Sequence, residues 1–145
     1  MADAQCVCGA LRLMMREPTK LVAACHCLAC QRRTGTSFSV NAFYATDTVE
    51  ISGVATEFIR VADSGRNVRM YFCPTCGSTV YWKPDAQPTI IGVAVGALAD
   101  PDFPPPMISI FERYKHHWVT LPEETECFQA SMIKEYSPDL TRRSL

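Results

Sequence analysis

The sequence predicts a mostly β fold, and three observations carry that expectation: runs of side chains that alternate with period two, turn-forming residues that end each run, and the near absence of helical periodicity. Residues 38–44 (F-S-V-N-A-F-Y), 48–51, 56–61 and 68–72 alternate in this way, and each stops at Gly, Ser, Asn or Asp. They read as antiparallel strands joined by turns such as Ser52-Gly53 and Asp63-Ser64-Gly65.

Ahead of these runs, residues 8–15 alternate loosely and stop before Pro18, and residues 20–24 form a second short apolar stretch; both fit strands. Residues 78–83 and 89–95 continue the pattern with β-branched and aromatic side chains. Residues 100–106 carry four prolines and are neither helix nor central strand. Further strands are expected at 107–113 and 117–121, with a helical turn only at 27–34 and in the tail.

A chain of 145 residues is about one domain's worth and buries enough surface for a core without staples. One domain is expected over 1–145, with its core at roughly 3–130 and a tail at 131–145. The 14 Lys+Arg against 15 Asp+Glu leave a formal net charge of -1, and thiolates bound to a metal make it more negative. No basic stripe with interleaved aromatics is present, so no nucleic-acid partner is expected. The first residues lack a basic start and an apolar run, and residues 90–98 are too short to span a bilayer; a cytoplasmic monomer or homodimer with no membrane contact is the expectation.

Eight cysteines in a chain read as cytoplasmic favour metal over disulfides. Seven lie in three places: Cys6-Val7-Cys8-Gly9, Cys25-His26-Cys27-Leu28-Ala29-Cys30 and Cys73-Pro74-Thr75-Cys76-Gly77. In an extended strand the two sulfurs of C-x-C share a face, while C-x-x-C-G doubles back with Gly at positive φ. Cys6, Cys8, Cys73 and Cys76 are expected to close a four-thiolate structural zinc site. A redox role for Cys73 and Cys76 leaves the other five clustered cysteines unexplained.

Cys25, Cys27 and Cys30 hold three ligands within six residues, so a metal there lacks a fourth, as catalytic or ligand-binding zinc requires. Water, an exogenous thiolate, His26, Cys127 or a distant carboxylate can complete it; His26 is the weaker choice, since a strand turns it away from its neighbours. Cys127 reads as a buried small apolar residue rather than a ligand. His116 and His117 read as surface or packing residues, and Trp82, Trp118, Phe43 and Phe111 as core or rim aromatics, a rim position also reaching a ligand.

The opening C-x-C-G-A-L-R, the C-H-C-x-x-C followed by Gln31-Arg32-Arg33-Thr34-Gly35-Thr36-Ser37-Phe38, and the F-C-P-T-C-G-S turn together resemble the glutathione-dependent formaldehyde-activating enzyme family. Gly96-Ala97-Leu98 before Asp100-Pro101 extends the likeness, and the stretch Trp118-Val119-x-Leu121-Pro122 follows it loosely. The resemblance implies a β-tent zinc fold, a structural zinc on Cys6, Cys8, Cys73 and Cys76, and a second zinc on Cys25, Cys27 and Cys30. It also implies carbon–sulfur lyase chemistry on a small thiol adduct such as S-(hydroxymethyl)glutathione, with the second zinc site as the catalytic centre. Arg32 and Arg33 can pair with a ligand carboxylate and Thr34 can offer a hydroxyl. The acidic stretch at 122–126 departs from a site for an anionic tripeptide, so glutathione itself is not required. The competing expectation is a non-catalytic zinc module that binds a protein partner or carries a thiol, since β-tent relatives include protein-binding chaperones and centromere protein V.

Overall fold

The computed structural model of the chain describes residues 1–131. The helical turn expected in the tail falls outside the described residues. In chain order the elements are β1 (Ala2–Gln5), β2 (Arg12–Met15), β3 (Leu21–Cys25), α1 (Leu28–Thr34), β4 (Ser39–Ala45), β5 (Val49–Ser52), β6 (Thr56–Val61), β7 (Asn67–Phe72), β8 (Thr79–Pro84), β9 (Ile90–Ala94), β10 (Ile108–Ile110) and β11 (Glu126–Cys127). The mostly β expectation holds.

Strands β1, β2 and β5 form a small antiparallel sheet. The remaining strands form an eight-stranded sheet in the order β11-β10-β3-β4-β9-β8-β7-β6. The main core lies where Leu11, Leu13 and Met15 meet Val22, Val80, Ile91 and Val93, all at most 1% exposed. Gly53 holds the turn after β5 at φ +89, where a Cβ would collide with the Ala10 carbonyl oxygen.

Register places one row of side chains across six neighbouring strands: Leu21 opposite Phe43, Phe43 opposite Gly92, Gly92 opposite Trp82, Trp82 opposite Met70, and Met70 opposite Phe58. Directly opposed residues share a face, so this row is a continuous apolar strip with a gap at the glycine.

Several expectations are corrected. A first strand precedes the first cysteine, and residues 6–10 are turn, so the strand expected from residue 8 is only Arg12–Met15. The strand expected at 107–113 ends at Ile110, because Phe111 takes φ +56 and a 3-10 turn over Glu112–Tyr114 follows. No strand forms at 117–121: Val119 is buried but His117 and Trp118 face water, and no neighbouring strand pairs with them. The antiparallel rule fails at β10, which the proline-rich loop delivers parallel to β3 and β11. Cys127 is exposed at the end strand β11 rather than buried.

Candidate metal centres and the cavity beside the second

The chain doubles back twice to present its first four sulfurs. After β1, the Gly9 amide donates to the Cys6 carbonyl at 2.9 Å and the Cys6 amide to the Leu11 carbonyl at 2.9 Å, with Gly9 at φ +75. After β7 the pattern repeats: the Gly77 amide donates to the Cys73 carbonyl at 2.8 Å and the Cys73 amide to the Ser78 carbonyl at 3.0 Å, with Gly77 at φ +74. The C-x-C pair is thus presented by a turn like that of C-x-x-C-G, not by the extended strand that the sequence suggested.

These turns bring the sulfurs of Cys6, Cys8, Cys73 and Cys76 within 4.8 Å of one another. Cys6 and Cys8 lie 3.5 Å apart and Cys8 and Cys73 3.6 Å, near the ~3.8 Å that four sulfurs set tetrahedrally at ~2.3 Å from zinc would show. The Leu11 amide donates to the Cys6 sulfur at 3.2 Å. Hydrogen bonds from Ser78, whose Oγ lies 3.3 Å from the Cys76 sulfur, lower the Cys76 thiol to about 5. The Ala10 amide favours the Cys8 thiolate, yet the sulfurs of Cys6 and Cys76 outweigh it and push Cys8 up to about 12. Four adjacent thiolates cannot all ionise without a cation, and this all-sulfur set fits zinc. Cys6 and Cys73 belong to the main core, so the centre ties both sheets to it.

The second centre is assembled from the end of one interior strand and one helix. Cys25 is the last residue of β3, Cys27 caps α1, and Cys30 lies one turn into it. The Cys27 sulfur accepts the Cys30 amide at 3.3 Å. The three sulfurs lie within 4.8 Å of one another, and their residues are 7%, 9% and 8% exposed. Bonds with Cys27 and Cys30, together with burial, push the Cys25 thiol far up. Cys25 conversely pulls Cys30 well down, helped by Cys27, Ser39 and the Arg33 guanidinium. These residues fit a three-sulfur metal site, and among the described residues no fourth His, Cys, Asp or Glu joins them.

Two candidate fourth ligands, His26 and Cys127, are not among the gathered donors. His26 is fully buried with its Nε2 2.9 Å from the Ser109 hydroxyl, which donates at 2.5 Å to Glu112, itself 2.6 Å from Lys115. The exposed Cys127 has its thiol 3.5 Å from the Thr125 carbonyl. Ser109 and Glu112 were missed in the sequence because only the parallel pairing of β10 with β3 brings them to His26.

All three cysteines of the second centre open into a cavity of about 480 Å³. Its walls include Leu21, Phe43, Met70, Trp82 and Phe111, and cationic side chains reach it from α1 (Arg32, Arg33), from the β6–β7 hairpin (Arg60, Arg66) and from Arg113. Thr34 does not line it; its hydroxyl donates to the Cys30 carbonyl at 2.8 Å and lies 2.9 Å from the Thr36 hydroxyl. His116 is exposed and 3.0 Å from Gln31, and Trp118 is 64% exposed. Arg60 and Arg66 carried no signal in the sequence, since a charged residue in an alternating strand, as at Arg60, or in a turn, as at Arg66, reads as solvated.

The family model described as Glutathione-dependent formaldehyde-activating enzyme matches residues 1–114, which include both cysteine groups. No curated protein matches the chain. The crystal structure of a Rhodobacter sphaeroides protein is similar in fold, with a TM-score of 0.54 at 22% identity over 68% of this chain and 91% of that one. No helix among the described residues is long and apolar enough to cross a membrane. With that model spanning well over half the sequence, and both cysteine groups gathered as metal-sized clusters, the chain belongs to the glutathione-dependent formaldehyde-activating enzyme family.

Proposed function

We propose that the chain is a carbon–sulfur lyase-like protein that acts on a small thiol adduct such as S-(hydroxymethyl)glutathione at the Cys25, Cys27 and Cys30 centre. The observation that carries this reading is a buried three-sulfur cluster, short of a fourth protein ligand among the described residues, that faces a cavity with cationic walls. In the reaction the adduct's carbon–sulfur bond breaks, its hydroxyl carbon becomes a carbonyl, and the hydroxyl proton ends on the released thiol; the reverse direction forms the adduct.

Zinc held by the three cysteines supplies charge that lowers the pKa of an incoming thiol and polarises an aldehyde oxygen. Arg33, beside Cys30, holds a carboxylate of the ligand, and Arg32 reaches the same space from the exposed side of α1. Phe43 and Trp82 keep water from the far wall. Cys6, Cys8, Cys73 and Cys76 hold the structural zinc, residues 1–145 act as one zinc-binding domain, and the thiols stay reduced in the cytoplasm.

A second reading, a non-catalytic module with a protein partner, draws on the edge strand β6, where Phe58, Ile59 and Val61 are 59%, 44% and 64% exposed. Zinc X-ray absorption during a glutathione titration separates the two. A new zinc–sulfur contact supports the lyase reading; an unchanged zinc environment together with thiol-independent binding of a protein removes it.

A further inference from the structure

We infer that the ligand of the second centre is an elongated thiol compound, with an apolar middle that lies on Trp82 and an anionic group beyond it at Arg60. The inference rests on the thiol-handling reading above and specifies the molecule that the cavity takes.

The cavity is longer than a one-carbon adduct needs. Leu21, Ala23 and Cys25 all line it from β3 and, being spaced by two, share one face. Four residues of strand put Leu21 about 13 Å from Cys25. Leu21 begins the apolar row that runs through Phe43, Gly92, Trp82 and Met70 to Phe58.

Within that row Trp82 is held as a platform. Its indole fills the space over Gly92, where a Cβ would collide with it; Phe43 meets it edge-on at 5.3 Å and 88°; and its Nε1 donates to Asn41 Oδ1 at 3.3 Å. With its polar atom satisfied, the rest of the ring is an apolar surface.

Beyond the row, on the side away from Cys25, the same strand register places Arg60 two residues past Phe58 on the same face of β6. Arg60 lines the cavity, and its Nε is buried without a hydrogen-bond partner. Arg33, at the sulfur end, has an Nε in the same condition. A buried guanidinium N–H without an acceptor is costly, and an anionic ligand group relieves it at each end. The three sulfurs, the Leu21, Phe43, Trp82 and Met70 part of the row, and the distant Arg60 thus all line one cavity, whose size falls in the range of small-molecule sites.

The test uses the zinc-loaded full chain and ω-mercaptoalkanoates of three lengths: mercaptopropanoate, mercaptooctanoate and mercaptododecanoate. Binding is read by quenching of Trp82 fluorescence in a Trp118→Phe background and by zinc X-ray absorption. Affinity should rise at least tenfold from the shortest to the longest acid. Mercaptododecanoate should also bind about tenfold tighter than mercaptododecanol, and Arg60→Gln should abolish that difference while leaving mercaptopropanoate unchanged. Trp82→Ala should flatten the length series, read by calorimetry, with circular dichroism establishing that it folds; Arg60→Gln provides an independent test. Ligation of zinc by all three acids with equal affinity overturns the inference and leaves the thiol-handling reading intact. Absence of a new zinc–sulfur contact with any thiol defeats that reading and the inference with it.

Discussion

Gly92 and Trp82 face each other across β9 and β8, and the indole occupies the volume that any side chain at 92 would need. The indole lies across β9, held there by the edge contact with Phe43 and the hydrogen bond to Asn41 on β4, and so forms one wall of the cavity.

Gly92→Ala should therefore displace the indole. Overpacking of this kind costs about 1–3 kcal/mol, so the melting temperature should fall and the tryptophan emission of a Trp118→Phe background should shift. An unchanged melt and spectrum would mean that the indole does not occupy the space over residue 92.

The two sulfur centres should differ in what they do for folding. Cys6 and Cys73 sit in the main core, whereas Cys25, Cys27 and Cys30 form a separate cluster with Ile110 and Phe111. Cys76→Ser should unfold the chain, and Cys27→Ser should leave a folded protein with half its zinc, measured by elemental analysis beside circular dichroism. Equal unfolding by both variants would remove the distinction. Exhaustive chelation should likewise unfold the wild type, since structural zinc contributes binding free energy of about 10–16 kcal/mol to folding in small zinc domains.

The buried His26–Ser109–Glu112 chain should fix the loop between Cys25 and Cys27. Ser109→Ala leaves two buried polar groups without their shared partner, a loss of about 1–3 kcal/mol, and should lower the melting temperature without removing a sulfur ligand. Retained zinc content with a lower melt is the expected result.

Glu112 supplies a pH dependence. Burial raises its carboxyl, but Lys115 and Ser109 more than offset this, and the folded value lies below the ordinary one; His26 at 3.8 Å and Cys127 are its other titratable neighbours. The unfolded chain then takes up the proton at a higher pH than the folded chain. The stabilisation is complete above the ordinary glutamate range and is lost as pH falls through the folded value. Melts of Glu112→Gln should show a shallower loss of stability across that acid window than the wild type.

Arg33 should matter for thiol binding more than for folding. Its charge lies beside Cys30, and it lines the cavity. Arg33→Gln should weaken glutathione binding about tenfold, in line with the loss of one charge-assisted hydrogen bond, while zinc content stays the same. Undiminished affinity would assign Arg33 to the protein surface.

Much of this molecule was written in local order. Period-two alternation of residue type marks β4 to β9, a property of neighbouring residues alone, although β6 proves almost wholly exposed and β9 is buried on both faces. Cysteine spacing divides the ligands as the structure gathers them, since glycine-ended turns and a capped helix set sulfur positions within a few residues. Tertiary structure alone decided the rest. The parallel docking of β10 joins Ser109 and Glu112 to His26, and the curl of an eight-stranded sheet brings Arg60, on its last strand, into the cavity that begins at Cys25. Those pairs are far apart along the chain, and their meeting depends on strand order, which side-chain alternation does not encode.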